Sequence, residues 1–125
     1  MDRIFLHDNS DKIIVLKYFA PWCSACQRLE PKYVKISKSK KYEDIPILFA
    51  QISYEHNEEF VSRQGIKAIP SMQIYVAEKV VENFICGPKH IDLLKEKIDD
   101  TIKNSIIAHE QVLRTSIHTS FKATA

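Results

Sequence analysis

From Ile13 to Phe19 the chain is apolar except at Lys17, and it is rich in β-branched and aromatic residues. A run with no polar alternation predicts a strand covered on both faces. The period then changes. Leu29, Tyr33 and Ile36 recur at helical spacing, which predicts a helix over about 23–41 with a kink at Pro31. Residues 45–53 read as a second buried strand, and 58–64 as a short helix stopped by Gly65. Residues 72–76 and 80–85 predict two strands joined tightly into an antiparallel hairpin. A last helix follows Pro88, carrying Ile91, Leu94, Ile98 and Ile102 on one stripe. Ahead of Ile13 there is room for one short element over 2–7, read as the final turns of a helix rather than an edge strand.

The order is strand, helix, strand, helix, strand, strand, helix. A strand–helix–strand unit followed by a hairpin and a closing helix is an α/β sandwich with a mixed sheet. Residues 1–103 make one domain, for which 125 residues at 45% hydrophobic content supply one core. Residues 104–125 form an extension. Its stripe runs on through Ile106, Leu113 and Ile117 with Arg114 and His118 nearby, so it is a longer final helix, a frayed end, or a docking helix for a partner.

Charge narrows the function classes. Eighteen basic against sixteen acidic residues advertise neither nucleic acid nor a membrane surface as partner. Lys32, Lys35, Lys38, Lys40 and Lys41 make one helix basic, which is either a solvated face or a means of steering an acidic partner. No apolar run is long enough for a spanning helix, and the first residues carry neither a signal-peptide core nor a transit segment. Three cysteines are too few and too oddly counted for a secreted disulfide framework. Two of them, Cys23 and Cys26, stand three positions apart at a strand-to-helix junction, which points to thiol chemistry in a reducing compartment.

Thiol exchange needs a thiolate, and an ordinary cysteine at neutral pH is mostly protonated. A helix N-terminus offers partial positive charge and free N–H groups that favour the anion. Cys23 sits there, and Cys26 is close enough to attack a mixed disulfide formed at Cys23. A zinc site would need two further ligands, and the third cysteine and five scattered histidines offer no second pair at ligand spacing. The remaining alternative is a pair of buried small apolar residues. Trp22, beside Cys23, reads as core packing or as a flat apolar rim for a docked peptide.

The segment Tyr18-Phe19-Ala20-Pro21-Trp22-Cys23-Ser24-Ala25-Cys26 resembles the active-site segment of thioredoxins and protein disulfide isomerases. A second signature, Gly65-Ile66-Lys67-Ala68-Ile69-Pro70-Ser71, resembles the segment that carries the family's cis-proline. The likeness extends to about Ile102. It implies a thioredoxin fold that is short at its N-terminus, lacking the first strand, with a central mixed sheet flanked by helices. It also implies that Pro70 faces the cysteine pair and that the Ile69 backbone offers hydrogen bonds to an extended client strand. The function implied is exchange or reduction of protein disulfides through the Cys23/Cys26 dithiol. That needs an external reductant (a reductase or glutathione) and no metal or organic cofactor. Residues 51–57 and 81–86 look most like the atypical Cys/His-rich thioredoxins of plastids, which makes the plastid stroma the expected compartment and the cytoplasm the alternative. A different class of function stays open: a thioredoxin-like interaction module in a larger assembly, with weak redox activity or none.

Two departures from the family pattern bear on the chemistry, and a third cysteine needs a reading. The dipeptide between the cysteines is Ser24-Ala25 rather than Gly-Pro. Lys17 stands where many members carry a buried carboxylate. Strand alternation places it with Val15 and Phe19, beneath the cysteine pair, as a modulator of thiol pKa. The reading favoured, however, is a packed stem whose amine reaches solvent. Cys86 reads as a buried small apolar residue rather than a regulatory thiol.

Overall fold

A computed structural model describes residues 3–106. Its sheet is mixed and four-stranded, in the order β2-β1-β3-β4. The strands are β1 (Ile13–Phe19), β2 (Ile47–Ser53), β3 (Ser71–Val76) and β4 (Lys79–Ile85). The helices are α1 (Arg3–Asp8), α2 (Ser24–Ser37), α3 (Glu58–Arg63) and α4, which occupies 91–106 among the described residues.

The apolar run predicted to be covered on both faces is the middle of the sheet. β1 pairs in parallel with β2, Ile13 opposite Ile47 through Phe19 opposite Ser53. On its other side it pairs antiparallel with β3, Ile14 opposite Tyr75 through Tyr18 opposite Ser71. Alternation then divides its side chains between two cores. Ile13 and Val15 join Leu29, Tyr33, Leu94 and Ile98 under α2 and α4. Ile14, Leu16 and Tyr18 join Val61 and Tyr75 on the side of α3, with Phe5 and Leu6 of α1 packed against them. The hydroxyls of Tyr18 and Tyr75 both donate to Gln73 Oε1, at 2.6 and 2.9 Å, so the polar tips in this second core are satisfied.

The N-terminal element is a helix, as its pattern suggested, and the hairpin and the closing helix lie where the periodicity put them. β3 and β4 are joined by Ala77 and Glu78, both at positive φ (51° and 67°). That geometry matches the right-handed twist of the flanking strands although neither residue is glycine. Gly65, at φ 73°, follows the cap of α3 and ends it.

Two expectations need correction. α2 stops at Ser37, not near Lys41. Lys38 caps it, and Ser39 accepts from the Lys41 N–H to open a separate 3₁₀ turn, Lys40–Tyr42. β2 is only partly covered, because among the described residues it is an edge strand that pairs with β1 alone. Its apolar content resembles that of β1, but burial there depends on which strands neighbour it. The extension beyond residue 106, including Leu113, Arg114, Ile117 and His118, lies outside the described residues.

Candidate active site

α2 begins at the C-terminal end of β1, across the short link 20–23. Cys23 is its N-cap, with extended backbone, and its sulfur accepts a hydrogen bond from the Cys26 N–H at 3.2 Å. One of the helix's otherwise unsatisfied donors is therefore aimed at the Cys23 sulfur. The two thiols are free and differently placed: Cys23 is half-buried, whereas Cys26 is 3% exposed and faces the core. Burial, helped by the hydrogen bond to Cys23, pushes the Cys26 thiol up to about 11, against the opposing pull of the Ala20 backbone and the Lys17 charge.

Lys17 lies beneath this pair. Its side chain is 0% exposed, so the amine does not reach solvent, contrary to the reading favoured from sequence. The reason is a counter-charge. Glu30, one helical turn beyond Cys26 on α2, forms an ion pair with the Lys17 ammonium while remaining 43% exposed itself. The rings of Phe19 and Tyr33 cover the ammonium, with centroids at 5.2 and 4.8 Å. Burial pulls the Lys17 pKa down and the nearby Cys26 sulfur pulls it up. Sequence reasoning missed Glu30, although a signal existed. A lysine inside an apolar strand requires a partner, and Glu30 is the sole acidic residue of α2.

The rim is built from both signature segments. Trp22 is 64% exposed, and it lines a cleft of about 280 Å³ together with Tyr54, Ile66 and Ile69. The Ile69–Pro70 bond is cis, Pro70 is buried, and its carbonyl accepts from the Cys86 N–H at 3.1 Å. Cys86 is fully buried in the core under α2 and α4, where burial pushes its thiol up to about 11. Among the described residues no three His, Cys, Asp or Glu side chains gather to hold a metal ion, and no helix is long and apolar enough to cross a membrane.

Limiting iodoacetamide should alkylate Cys23 of the reduced protein well before Cys26, because only Cys23 combines access with a helix-end environment. Peptide mapping of the first adduct checks this. A majority of label on Cys26 would overturn the assignment of Cys23 as the attacking thiol.

The thioredoxin family model matches residues 4–100. A thioredoxin of Geodia cydonium is 32% identical over 93 residues, covering 74% of this chain and 83% of the relative. The chloroplastic thioredoxin F2 of Arabidopsis thaliana is 34% identical over 84 residues, 67% of this chain and 43% of the relative. A protein disulfide-isomerase of Ricinus communis is 36% identical over 98 residues, 76% of this chain but 19% of the relative, so the chain corresponds to a small part of that protein. Among solved structures, the thioredoxin NaTrxh of Nicotiana alata superposes with a TM-score of 0.67 at 27% identity, over 78% of this chain and 82% of its own. A family match over most of the chain, on a sheet of this order with a cysteine pair heading its first long helix, leaves one assignment: the chain belongs to the thioredoxin family of thiol–disulfide oxidoreductases.

Proposed function

We propose that the chain is a protein-disulfide reductase in which Cys23 attacks and Cys26 resolves. The observation that carries this reading is the asymmetry of the two thiols, one accessible at the open end of α2 and the other buried three residues on. The Cys23 thiolate attacks one sulfur of a client disulfide. That S–S bond breaks, a mixed disulfide forms, and the second client sulfur leaves as a thiolate that takes a proton from solvent. Cys26 then gives up its proton and attacks the Cys23 sulfur, which expels the first client thiolate. Two electrons have passed to the client, and the chain is left with a Cys23–Cys26 disulfide. An external dithiol reductase or glutathione restores it.

Trp22, Ile69 and Pro70 hold the client in this reading. The shared cleft of Trp22 and Ile69 supports it, since an exposed indole beside an apolar wall suits an extended peptide. Lys17 acts as the electrostatic modulator, and Glu30 positions it. The resolving thiol must ionise in an apolar setting, and a positive charge below it lowers that cost. Glu30 keeps the buried ammonium charged. The chloroplast relative supports a plastid stroma location.

Cys26→Ser should accumulate mixed disulfides with disulfide-bearing clients, visible on non-reducing gels and released by dithiothreitol, whereas Cys23→Ser should not. If Cys26→Ser trapped nothing, the chain would be read instead as an interaction module without redox turnover.

A further inference from the structure

Between the C-terminal half of α2 and the start of α4 lies a cleft of about 760 Å³. Its floor is apolar, formed by Ile36, Tyr42 and Ile91. Its rim carries Lys32, Lys35, Lys38, Lys41 and Lys95, and no aspartate or glutamate lines it. Two of these cations are engaged within the fold: Lys41 with Asp99 at 2.6 Å, and Lys32 with the Pro88 carbonyl at 3.2 Å. Among the described residues Lys35, Lys38 and Lys95 form no ion pair.

In a chain with nearly balanced charge the three lysines without an ion pair gain no electrostatic partner from the fold. Lys32 and Lys35 of α2 and its cap, Lys38, follow one another at three-residue spacing, where like charges repel. Lys95 brings another cation to the same cleft from α4. The repulsion is relieved by an anionic guest. The apolar floor specifies that guest further, because a small anion would be held by the lysines alone and would leave the floor wet. A nucleic acid would want exposed aromatic rings for its bases, and the one ring in the cleft, Tyr42, is buried.

We infer that this cleft docks an acidic peptide segment that carries an apolar anchor residue, and that the segment belongs to the disulfide client; the second half of this inference rests on the reductase reading. Cys23 caps the same helix, and Lys32 to Lys38 lie nine to fifteen residues further along it. At 1.5 Å per residue that is about 14–22 Å. An extended chain spans this in about four to seven residues. The cleft therefore selects clients in which an acidic run lies within several residues of the cystine.

The probe is a fluorescein-labelled dodecapeptide of glutamates flanking one central leucine, titrated with the reduced full chain and followed by anisotropy. The variant K35E/K38E/K95E should weaken binding by about tenfold or more, since exposed ion pairs are worth up to a few-fold each. K35Q/K38Q/K95Q should weaken it less and guards against a folding defect in the reversal variant. Replacing the leucine by serine should also weaken binding. Equal affinity of wild type and both variants would overturn the inference. So would tighter binding of single-stranded DNA or phosphatidylglycerol vesicles than of the peptide at matched salt. In the kinetic arm, a cystine substrate tagged with the acidic peptide should be reduced with a lower KM than a neutral-tagged one. K35E/K38E/K95E should remove that preference while leaving the neutral substrate unchanged, and a preference that survives charge reversal would overturn the client half. If neither substrate were reduced, the reductase reading and the client half would fall together, and anisotropy would still decide whether the cleft binds acidic peptide.

Discussion

Replacing Cys23 by serine is expected to return the reduction of insulin by dithiothreitol to its uncatalysed rate, a loss of essentially all acceleration. A serine hydroxyl at the head of α2 is not ionised at neutral pH and is a poor nucleophile toward sulfur. The fold should survive. Cys23 is half-buried, and serine is itself a good N-cap whose oxygen accepts from the helix N–H groups as the sulfur does now. Circular dichroism and thermal midpoint should therefore match wild type while turbidity develops at the background rate. Equal rates for the two proteins would remove the redox reading and leave the interaction module.

Lys17→Met is expected to slow resolution of the mixed disulfide and to move its pH profile upward. The Cys26 thiol is already pushed up to about 11 by burial, and the Lys17 charge opposes that rise. Removing the charge should raise the Cys26 pKa by about one unit, the low end of what a nearby charge does. The sign follows directly. Resolution needs the thiolate, its rate climbs as pH approaches the Cys26 pKa, and a higher pKa leaves less thiolate at every lower pH. Stopped-flow release of client from a preformed mixed disulfide, measured across pH, reads this without interference from the attack step. Methionine keeps most of the stem volume, so packing should hold. Glu30→Gln should reproduce the shift in part, because an unpartnered buried ammonium tends to lose its proton. An unchanged profile in both variants would show that the ion pair has no electrostatic part in the chemistry.

Several features of this site were legible before any coordinates. The cysteine pair, the helix it opens, and the central strand announced themselves through spacing and through an apolar run that no exposed strand would carry. The inward direction of Lys17 followed from alternation. Its environment did not, because the deciding residue lies thirteen positions away on another element and local patterns carry no such distance. β2 was misjudged for a related reason. Ile47, Leu48, Phe49 and Ile52 look as apolar as β1, but whether a strand is central or an edge is set by which strands pair with it. The lysines of α2 were visible as a basic face, yet the arrival of Lys95 from α4, which turns a face into a cleft, required the tertiary packing of the two helices.

The hydrogen bond from the Cys26 N–H to the Cys23 sulfur makes the atom proposed to attack also a structural member of the helix end. Oxygen caps at such positions are worth on the order of 1 kcal/mol. A thiolate fills the role well, whereas a sulfur tied up in a bond to a client is a weak acceptor. In the proposed cycle the Cys23 sulfur is a weak acceptor both in the mixed disulfide and in the Cys23–Cys26 disulfide that follows it. The first turn of α2 is therefore held most tightly in the reduced chain and is loosened from client capture onward, until the external reductant restores the cap.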